Sequence, residues 1–334
     1  MITIIVYDFT MSKRRISHQQ SARIEKKQRN YRKPAETGHP ITTSEGLVIK
    51  RFSRHAQIEN DQGDRVNCSI RPTLGTLVAG DRVVWQTEGH GQGVVVSRYP
   101  RISVLGRPDK RGQLRPVAAN ITQVMIVVAP KPEISWPLLD SYLVMTEYLN
   151  LRACIVLNKT DLASDKLREE LRTYYTTLDY PILFTGRDQL EGYKQLQTTL
   201  NNQTSVFVGQ SGVGKSSLIA QVLPEESSTI HVAEISVKSE LGCHTTSNSC
   251  FYHLPSGGAL IDSPGVREFG LWHMPAIEIA KGFREFKPYL SKCKFRDCNH
   301  RDAPNCALLE AVKNKSITRQ RYENYVKIST QFAK

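Results

Sequence analysis

Short runs of alternating apolar and polar residues fill the chain from residue 46 to residue 107. Alternation over four to eight residues is typical of strands with one buried face, and turn residues separate these runs. Several such strands in close succession predict a small β-barrel. The turn from Ala79 to Arg82 fits a barrel of the OB type. The strands are expected at residues 46–50, 56–59, 65–71, 81–85 and 93–97.

From residue 122 the pattern changes to strands that alternate with helices, which indicates an α/β domain with a parallel sheet. Residues 122–129 are apolar almost throughout and predict a fully buried strand. Beyond Gly265 the sequence is helical and rich in cysteine. Further strands are expected at 153–157, 181–184 and 204–208, and helices at 137–150, 164–178, 189–200, 217–222, 281–292 and 307–313.

These changes of pattern predict a multi-domain protein, as a chain of 334 residues allows. Residues 1–10 differ abruptly in composition from the basic segment after them, and Met11 begins a stretch that resembles a natural start, so we interpret them as a start-site artefact or a frayed extension. The expected divisions are a basic arm at 1–45, an all-β barrel at 46–112 that is expected to bind RNA, an α/β domain at 113–272 and a helical domain at 273–334.

The net charge of +13 favours a polyanionic partner, either nucleic acid or a membrane surface. Residues 13–33 carry nine lysines and arginines against the single acid Glu25. We expect this part of the arm to be disordered when free and to bind RNA, with a merely solvated tail as the alternative. No apolar run approaches the roughly 20 residues that span a bilayer, so a soluble, cytoplasmic protein is expected.

Residues 209–217 read Gly-Gln-Ser-Gly-Val-Gly-Lys-Ser-Ser and fit the G-x-x-x-x-G-K-[ST] pattern of a phosphate-binding loop. The predicted strand before this phosphate loop and the helix after it supply the required context, because backbone N–H groups at a helix N-terminus bind phosphate. Lys215 is expected to reach the β- and γ-phosphates, and Ser216 to bind Mg²⁺. The predicted nucleotide-binding residues here are Gly209, Gln210, Ser211, Gly212, Val213, Gly214, Lys215, Ser216 and Ser217.

Asn158-Lys-Thr-Asp161 comes directly after the strand predicted at 153–157 and fits N-K-x-D, a pattern that selects guanine. Asp161 can accept hydrogen bonds from both N1–H and the 2-amino group of guanine. Asn158 is expected to hold either the O6/N7 edge of the base or the neighbouring loop, and the stem of Lys159 to cover the base. Thr160 completes the predicted set.

Asp262-Ser-Pro-Gly265 fits D-x-x-G, so Asp262 is expected near Mg²⁺ and the Gly265 N–H near the γ-phosphate. The segment 242–246 reads Gly-Cys-His-Thr-Thr and lies where a switch threonine is needed, so Thr245 or Thr246 should bind Mg²⁺. N-K-x-D precedes the phosphate loop, the reverse of the usual order. The sequence therefore predicts a circularly permuted domain, in which the strands of the usual sheet follow one another in a different order along the chain.

Val266 occupies the position after D-x-x-G where many GTPases carry a glutamine that orients the attacking water. A hydrophobic side chain cannot hold that water, so slow intrinsic turnover is expected. His244, beside the switch threonines, is the candidate catalytic residue. Contact with RNA or packing of the switch is its alternative role.

Cys293, Cys298, His300 and Cys306 lie within fourteen residues and form a typical tetrahedral zinc set. Four protein ligands would leave no position for an activated water, which indicates a structural site that folds a small loop. The remaining cysteines are interpreted as ordinary small apolar residues; they are Cys68, Cys154, Cys243 and Cys250.

Four features point to one family: these motifs in permuted order, the G-x-H-T-T element, Ala118-Ala-Asn120 and the cysteine spacing. On these features the chain resembles the ribosome small-subunit-dependent GTPase A (RsgA) family over roughly residues 11–330. The resemblance implies an OB barrel, a circularly permuted P-loop GTPase domain and a helical zinc domain. It also implies GTP hydrolysis stimulated by the small (30S) ribosomal subunit during late maturation, with 16S rRNA as partner. The family's guanine-contacting S-A element reads Phe184-Thr-Gly-Arg here.

Two other classes of function stay open. A GTP-gated RNA-binding switch with negligible turnover would use mostly the same residues. A DNA-binding zinc protein with an ATPase domain is disfavoured by Asp161 and by the lack of a recognition-helix pattern. We expect the chain to act as a monomer.

Overall fold

A computed structural model describes residues 26, 31, 43–89, 91–108, 114–187, 189–224, 249–262, 274–296 and 298–332. The chain divides into two compact units. The first comprises Met1–Asn120, Thr246–Tyr252 and Ile261–Pro264, and the second comprises Ile121–Thr245, His253–Leu260 and Gly265–Lys334. Of the basic arm expected at 1–45, the described residues are Lys26, Tyr31 and residues 43–45, and the last three belong to the first strand.

Five strands of the first unit form a barrel, as the alternating pattern predicted. β1 pairs antiparallel with β2 and β4, β2 pairs antiparallel with β3, β3 runs parallel to β5, and β5 returns antiparallel to β4. This closed order, 1-2-3-5-4-1, agrees with the expected OB type. The strands are β1 (Thr43–Phe52), β2 (His55–Glu59), β3 (Arg65–Ile70), β4 (Arg82–Gly89) and β5 (Gln92–Arg98).

The two faces of β4 and β5 carry different apolar clusters. Val83 and Val95 point into the barrel core, whereas Val84, Val94 and Val96 form a second cluster against which Tyr31 packs. The guanidinium of Arg71 lies 5.5 Å from the Tyr31 ring centroid and donates to its hydroxyl at 3.2 Å. One residue of the arm therefore rests on the barrel.

A hairpin of β6 (Val104–Pro108) and β7 (Leu114–Ala119) comes after the barrel. Asn120 ends the hairpin with φ of 57°. Its side chain accepts from the Ile102 N–H at 2.9 Å and donates to the Gly80 carbonyl at 2.7 Å. The Ala118-Ala-Asn120 element thus fixes the hairpin to the turn that precedes β4.

The second unit contains a parallel sheet in the order β10-β9-β8-β11-β13. All residues of β8 are buried, in agreement with the unbroken apolar run. Helices connect successive strands of the sheet. The elements from Gln123 to Asp262 are β8 (Gln123–Val128), α1 (Trp136–Tyr148), β9 (Arg152–Leu157), α2 (Asp165–Tyr175), β10 (Ile182–Phe184), α3 (Leu190–Leu200), β11 (Thr204–Val208), α4 (Lys215–Val222), β12 (Cys250–His253) and β13 (Ala259–Asp262). Of these, β12 as far as Tyr252 and β13 from Ile261 belong to the first unit.

The C-terminal part of the second unit is helical, with α5 (Ala276–Lys281), α6 (Ala307–Lys313) and α7 (Arg319–Phe332). In its core Phe283 and Phe286 stack with ring centroids 4.6 Å apart, and Tyr325 packs edge-on against both. None of the described helices has the length and apolar composition needed to cross a membrane.

The helix predicted at 281–292 is wrong. α5 ends at Lys281, a 3₁₀ turn covers Arg284–Phe286, and turns occupy the next residues. Gly282 lies so close to α1 that an added Cβ would come within 2.9 Å of the Val144 backbone. Pro288 has no N–H to donate to a continuing helix.

Candidate nucleotide-binding and metal-binding sites

The phosphate loop joins β11 to α4, as predicted. Its glycines Gly209, Gly212 and Gly214 have φ of 137°, 82° and 96°, a region that other residues rarely adopt. An added Cβ would collide with the Val127 carbonyl at Gly209 and with the Asn158 amide at Gly214. The curled backbone therefore depends on glycine at these positions.

Lys215 and Ser216 are buried at the start of α4, whereas Ser211 and Ser217 are exposed. The Lys215 Nζ donates to the carbonyl oxygens of Gly209 at 2.8 Å and of Gln210 at 2.6 Å. The ammonium group is thus held within the curve of the loop. Together with the first-turn N–H groups of α4, it makes the loop suited to a polyphosphate.

Asn158 connects the N-K-x-D element to the phosphate loop. Its Nδ2 donates to the Val213 carbonyl at 3.0 Å, and its Oδ1 accepts from the Thr185 hydroxyl at 2.9 Å. Lys159 adds a second connection, because its Nζ donates to the Gly212 carbonyl at 2.6 Å. Of the two roles expected for Asn158, the contact with the neighbouring loop is the one seen.

The segment 184–187, which departs from the family pattern, lies against Thr160 and Asp161. Thr160 donates its hydroxyl to the Thr185 carbonyl at 3.0 Å, and the Arg187 N–H donates to Asp161 Oδ1 at 3.3 Å. At Gly186 an added Cβ would lie 2.7 Å from the Thr160 hydroxyl and 3.0 Å from Asp161 Oδ1. Asp161 itself is exposed and can meet a ligand.

Sequence reasoning missed the contribution of Thr185. The available signal was positional, since Thr185 comes directly after β10 as Asn158 comes directly after β9, and the two strands pair in parallel. Residues at the carboxyl ends of neighbouring parallel strands meet at one edge of the sheet.

Asp262 is the last residue of β13, whose first residues pair in parallel with β11. The other predicted switch and catalytic residues lie outside the described residues; they are His244, Thr245, Thr246 and Gly265, together with Val266.

Cys293, Cys298, His300 and Cys306 come together, with their ligand atoms all within 4.8 Å of one another. The Nδ1 of His300 lies 3.5 Å from Cys293 Sγ and 3.7 Å from Cys306 Sγ, and the two sulfurs are 3.9 Å apart. Tetrahedral ligands at ordinary bond lengths of about 2.0–2.3 Å are separated by roughly 3.6–3.8 Å. The cluster therefore has the size and the donors to hold a metal ion.

The protonation of this cluster links metal binding to pH. Burial raises the pKa of Cys298 to about 11, and the thiols of Cys293 and Cys306 contribute to the rise. Burial lowers the pKa of His300, which favours the neutral imidazole that can act as a ligand. Since a thiol must lose its proton to bind a metal ion, an ion held by this cluster would displace protons.

Helix α7 contacts the loop that carries Cys293, Cys298, His300 and Cys306. The Tyr322 hydroxyl donates to the His300 carbonyl at 3.1 Å, and the Tyr325 hydroxyl donates to the Asn299 carbonyl at 3.4 Å. Arg301 donates to the Ser329 hydroxyl at 2.9 Å. These contacts keep His300, whose φ is 57°, in an unusual backbone conformation.

A parallel sheet on which N-K-x-D precedes the phosphate loop, with both motifs hydrogen-bonded to each other, defines a circularly permuted P-loop GTPase. A family model described as RsgA GTPase matches residues 98–272. The chain belongs to the RsgA GTPase family, which confirms the resemblance found in the sequence.

Relatives and solved structures agree over nearly the whole length. The small ribosomal subunit biogenesis GTPase RsgA of Photorhabdus laumondii is 44% identical over 336 residues, which cover 95% of each chain. The protein of that name from Vibrio cholerae is 47% identical over 85% of this chain and 75% of its own. Crystalline YjeQ from Thermotoga maritima aligns with a TM-score of 0.70 and 32% identity, covering 87% of this chain and 98% of its own. YloQ, described as a circularly permuted GTPase, aligns with a TM-score of 0.68 and 25% identity, covering 89% and 97%.

Proposed function

We propose that this protein hydrolyses GTP to GDP and phosphate during late maturation of the small (30S) ribosomal subunit, and that hydrolysis releases it from the particle. The observation that carries the proposal is the pair of hydrogen bonds by which Asn158 and Lys159 join the guanine motif to the phosphate loop. They bring a guanine-reading carboxylate and a polyphosphate-binding loop into one site. The relatives named for small-subunit biogenesis support the ribosomal role.

Phosphate release from GTP, with and without 30S subunits, tests this function. We expect slow release alone and a large increase with 30S subunits, and no release from Lys215→Ala, which lacks the phosphate-binding ammonium group. GTP binding without stimulated release would favour the alternative, a GTP-gated RNA-binding switch. Competition by ATP as strong as by GTP would instead point to an ATPase.

Within this proposal, 16S rRNA is bound by the basic arm and the barrel, and the protein works as a cytoplasmic monomer without membrane contact. The net charge of +13 supports a polyanionic partner. The closed OB-type barrel supports RNA as that partner, because such barrels commonly bind oligonucleotides.

We propose that Ser216 and Asp262 hold Mg²⁺ together with Thr245 or Thr246, and that the Gly265 N–H binds the γ-phosphate. Buried Ser216 at the start of α4 fits the first of these roles. Mg²⁺ would neutralise charge on the phosphates.

His244 is the proposed group that orients the attacking water, because Val266 cannot. His244→Ala should keep GTP affinity and 30S binding but lose stimulated turnover by roughly a hundredfold or more, the scale of a positioned catalytic group. Wild-type stimulated turnover in this variant would indicate a ribosomal group acting in trans.

Zn²⁺ is the metal proposed for the cysteine cluster, because three thiols and one imidazole at tetrahedral spacing suit it. The ion would be structural. Cys298→Ser should lose zinc by elemental analysis and loosen the C-terminal helices, while the nucleotide motifs stay folded. Full zinc content in the variant would show that the ligand set is wrong; Cys250→Ser is the matched control.

A further inference from the structure

A buried charge cluster ties α1 to the C-terminal helices. The carboxylate of Asp140 is fully buried and accepts from the Tyr175 hydroxyl at 2.7 Å, from Asn324 Nδ2 at 2.6 Å and from the Arg321 guanidinium. Arg321 is 1% exposed and also contacts Glu285, at 2.7 Å through Nε and 3.2 Å through Nη2. Four separate segments thus meet at one carboxylate and one guanidinium.

Such a cluster fixes geometry more than it adds stability. Removing two charges from water offsets most of their attraction, whereas leaving either charge without its partner is strongly unfavourable. Burial alone would lower the pKa of Arg321, but the carboxylates of Asp140 and Glu285 raise it well above its ordinary value. Arg321 therefore stays charged and α7 has one favoured position on α1.

The N-terminal end of α1 is attached to the phosphate loop. The Ser135 N–H, one residue before α1, donates to the Gln210 side-chain oxygen at 3.1 Å. The Gln210 backbone carbonyl in turn accepts from Lys215 Nζ. A shift of α1 along its axis would disturb the group that holds the phosphate-binding lysine.

The same face of α7 and the face next to it contact the loop that carries the cysteine cluster. Tyr322, the residue after Arg321, donates to the His300 carbonyl, and Tyr325 donates to the Asn299 carbonyl. The same short stretch of α7 thus contacts the buried carboxylate of α1 and the backbone of the metal cluster. A loop that folds only with its metal would transmit its state to α7.

We infer that α1 couples the two sites, so that metal binding at the cysteine cluster and nucleotide binding at the phosphate loop strengthen each other, with Asp140 and Arg321 as the positioning residues. The inference rests on the proposed nucleotide and zinc sites. By linkage, metal must raise nucleotide affinity by the same factor by which nucleotide raises metal affinity. Couplings of this kind are typically about 5- to 150-fold.

The test uses the full-length chain and two equilibrium titrations. Fluorescent GDP is titrated into zinc-loaded and chelator-stripped protein, and Zn²⁺ is titrated against a chromophoric chelator with and without GDP. We expect at least about fivefold tighter GDP binding with zinc and an equal factor in the reciprocal titration. Equal GDP affinity with and without zinc overturns the inference. Failure of zinc-loaded protein to bind GDP at all would instead overturn the proposed function.

Variants separate this coupling from general stabilisation. Asp140→Asn should bring the coupling factor close to one, because the neutral amide no longer holds Arg321. The double variant Asp140→Asn with Asn324→Asp returns a carboxylate to the cluster across a contact of 2.6 Å and should restore the coupling. Full coupling in Asp140→Asn, or no recovery in the double variant, contradicts the assignment.

A matched control lies on the same helix. Thr146 is fully buried and its hydroxyl donates within α1, to the Leu143 carbonyl at 2.7 Å. Thr146→Val should lower stability and leave the coupling factor unchanged, whereas a merely structural role of Asp140 would predict the same result for both variants. If Asp140→Asn does not fold, Asn324→Ala is expected to reduce the factor, because it removes one donor to Asp140 and leaves the Arg321 contact; it also removes the acceptor of Gln320 Nε2.

Discussion

One hydroxyl determines which way the Asn158 amide faces. Because Thr185 donates to Asn158 Oδ1, the amide nitrogen must point to the Val213 carbonyl in the phosphate loop. Thr185 and Asn158 are both buried, so water cannot replace this donor. The orientation of the guanine motif therefore depends on a residue outside that motif.

Replacing Thr185 by valine tests this dependence at nearly constant volume. The Asn158 oxygen would lose its donor in a buried place, at a cost of about 1–3 kcal/mol. We expect GDP affinity to fall at least about fivefold, measured by fluorescent nucleotide titration. Thr146→Val, which removes a buried hydroxyl outside the motif, is the control. Unchanged affinity in Thr185→Val would show that Asn158 needs no such support.

Asp161→Asn should relax guanine selectivity. The amide offers a donor where the carboxylate offered two acceptors, so GTP should bind more weakly and xanthine nucleotides relatively better. Competition between GTP and xanthosine triphosphate measures the change, and Asp165→Asn on the exposed start of α2 is the control. Unaltered selectivity would remove Asp161 from the base pocket.

The motif residues could be predicted because the residue types and the spacing between them indicate what each residue binds. Asn158 and Lys215 were identified in this way. Thr185 and Gly186 were not, since their roles depend on the lateral pairing of β10 with β9 and on space that Thr160 and Asp161 leave free. A linear pattern contains neither of these.

At the scale of elements, the C-terminal end of α1 carries a second charged contact. Glu147 accepts from Arg284 Nε at 2.6 Å and from Lys287 Nζ at 2.8 Å. Burial raises the pKa of Glu147, but hydrogen bonds and charge from Lys287 and Arg284 outweigh it and leave the pKa below its ordinary value of 4.5. The α1 helix is thus held to the segment after α5 at its far end.

This shift predicts an acid-sensitive contribution to stability. A depressed folded-state pKa stabilises the folded protein above the ordinary value of 4.5, and the contribution is lost as pH falls through the lower folded pKa. Glu147→Gln should therefore unfold at lower urea concentration than wild type at pH 7, and the difference should shrink below pH 4.5. Glu323→Gln, in a surface pair with Arg319, is the control. A constant difference at all pH values would contradict the argument.

Strands and helices were predicted correctly where the pattern of apolar residues kept one period. The prediction failed where single residues determined the local structure. The alternating runs gave the barrel strands, and the apolar run gave β8. The helix expected at 281–292 failed because glycine at 282 is a poor helix former and Pro288 has no N–H for a helical hydrogen bond. Composition alone made that stretch resemble a helix.

For the whole molecule, the distribution of charge should determine how it binds 30S subunits. Deleting residues 11–34 removes most of the net charge, so affinity should fall and its dependence on salt should weaken. Deleting residues 1–10 should change nothing, which makes it the control. Titrations at several salt concentrations measure both quantities. Unchanged affinity and an unchanged salt slope after the larger deletion would place the docking surface on the barrel or on the C-terminal part that contains the cysteine cluster.

The permuted order of the whole molecule could be predicted, because the motifs mark their strands. The link between the sheet and the C-terminal helices could not be predicted. Asp140 and Arg321 are 181 residues apart, and both residue types usually lie at the surface. Only the folded arrangement shows that each is the buried partner of the other.

The 181 residues between Asp140 and Arg321 mean that Asp140 is synthesised well before its buried partner. At about 5–20 residues per second, Asp140 leaves the ribosome on the order of 10–40 s before Arg321. Until then α1 can pack on the nascent parallel strands only with an unneutralised carboxylate on the face that α7 will cover. A chain that stops short of residue 321 therefore keeps every nucleotide motif but lacks the cation that pairs with Asp140, so this carboxylate gains its buried partner only once α7 has been made.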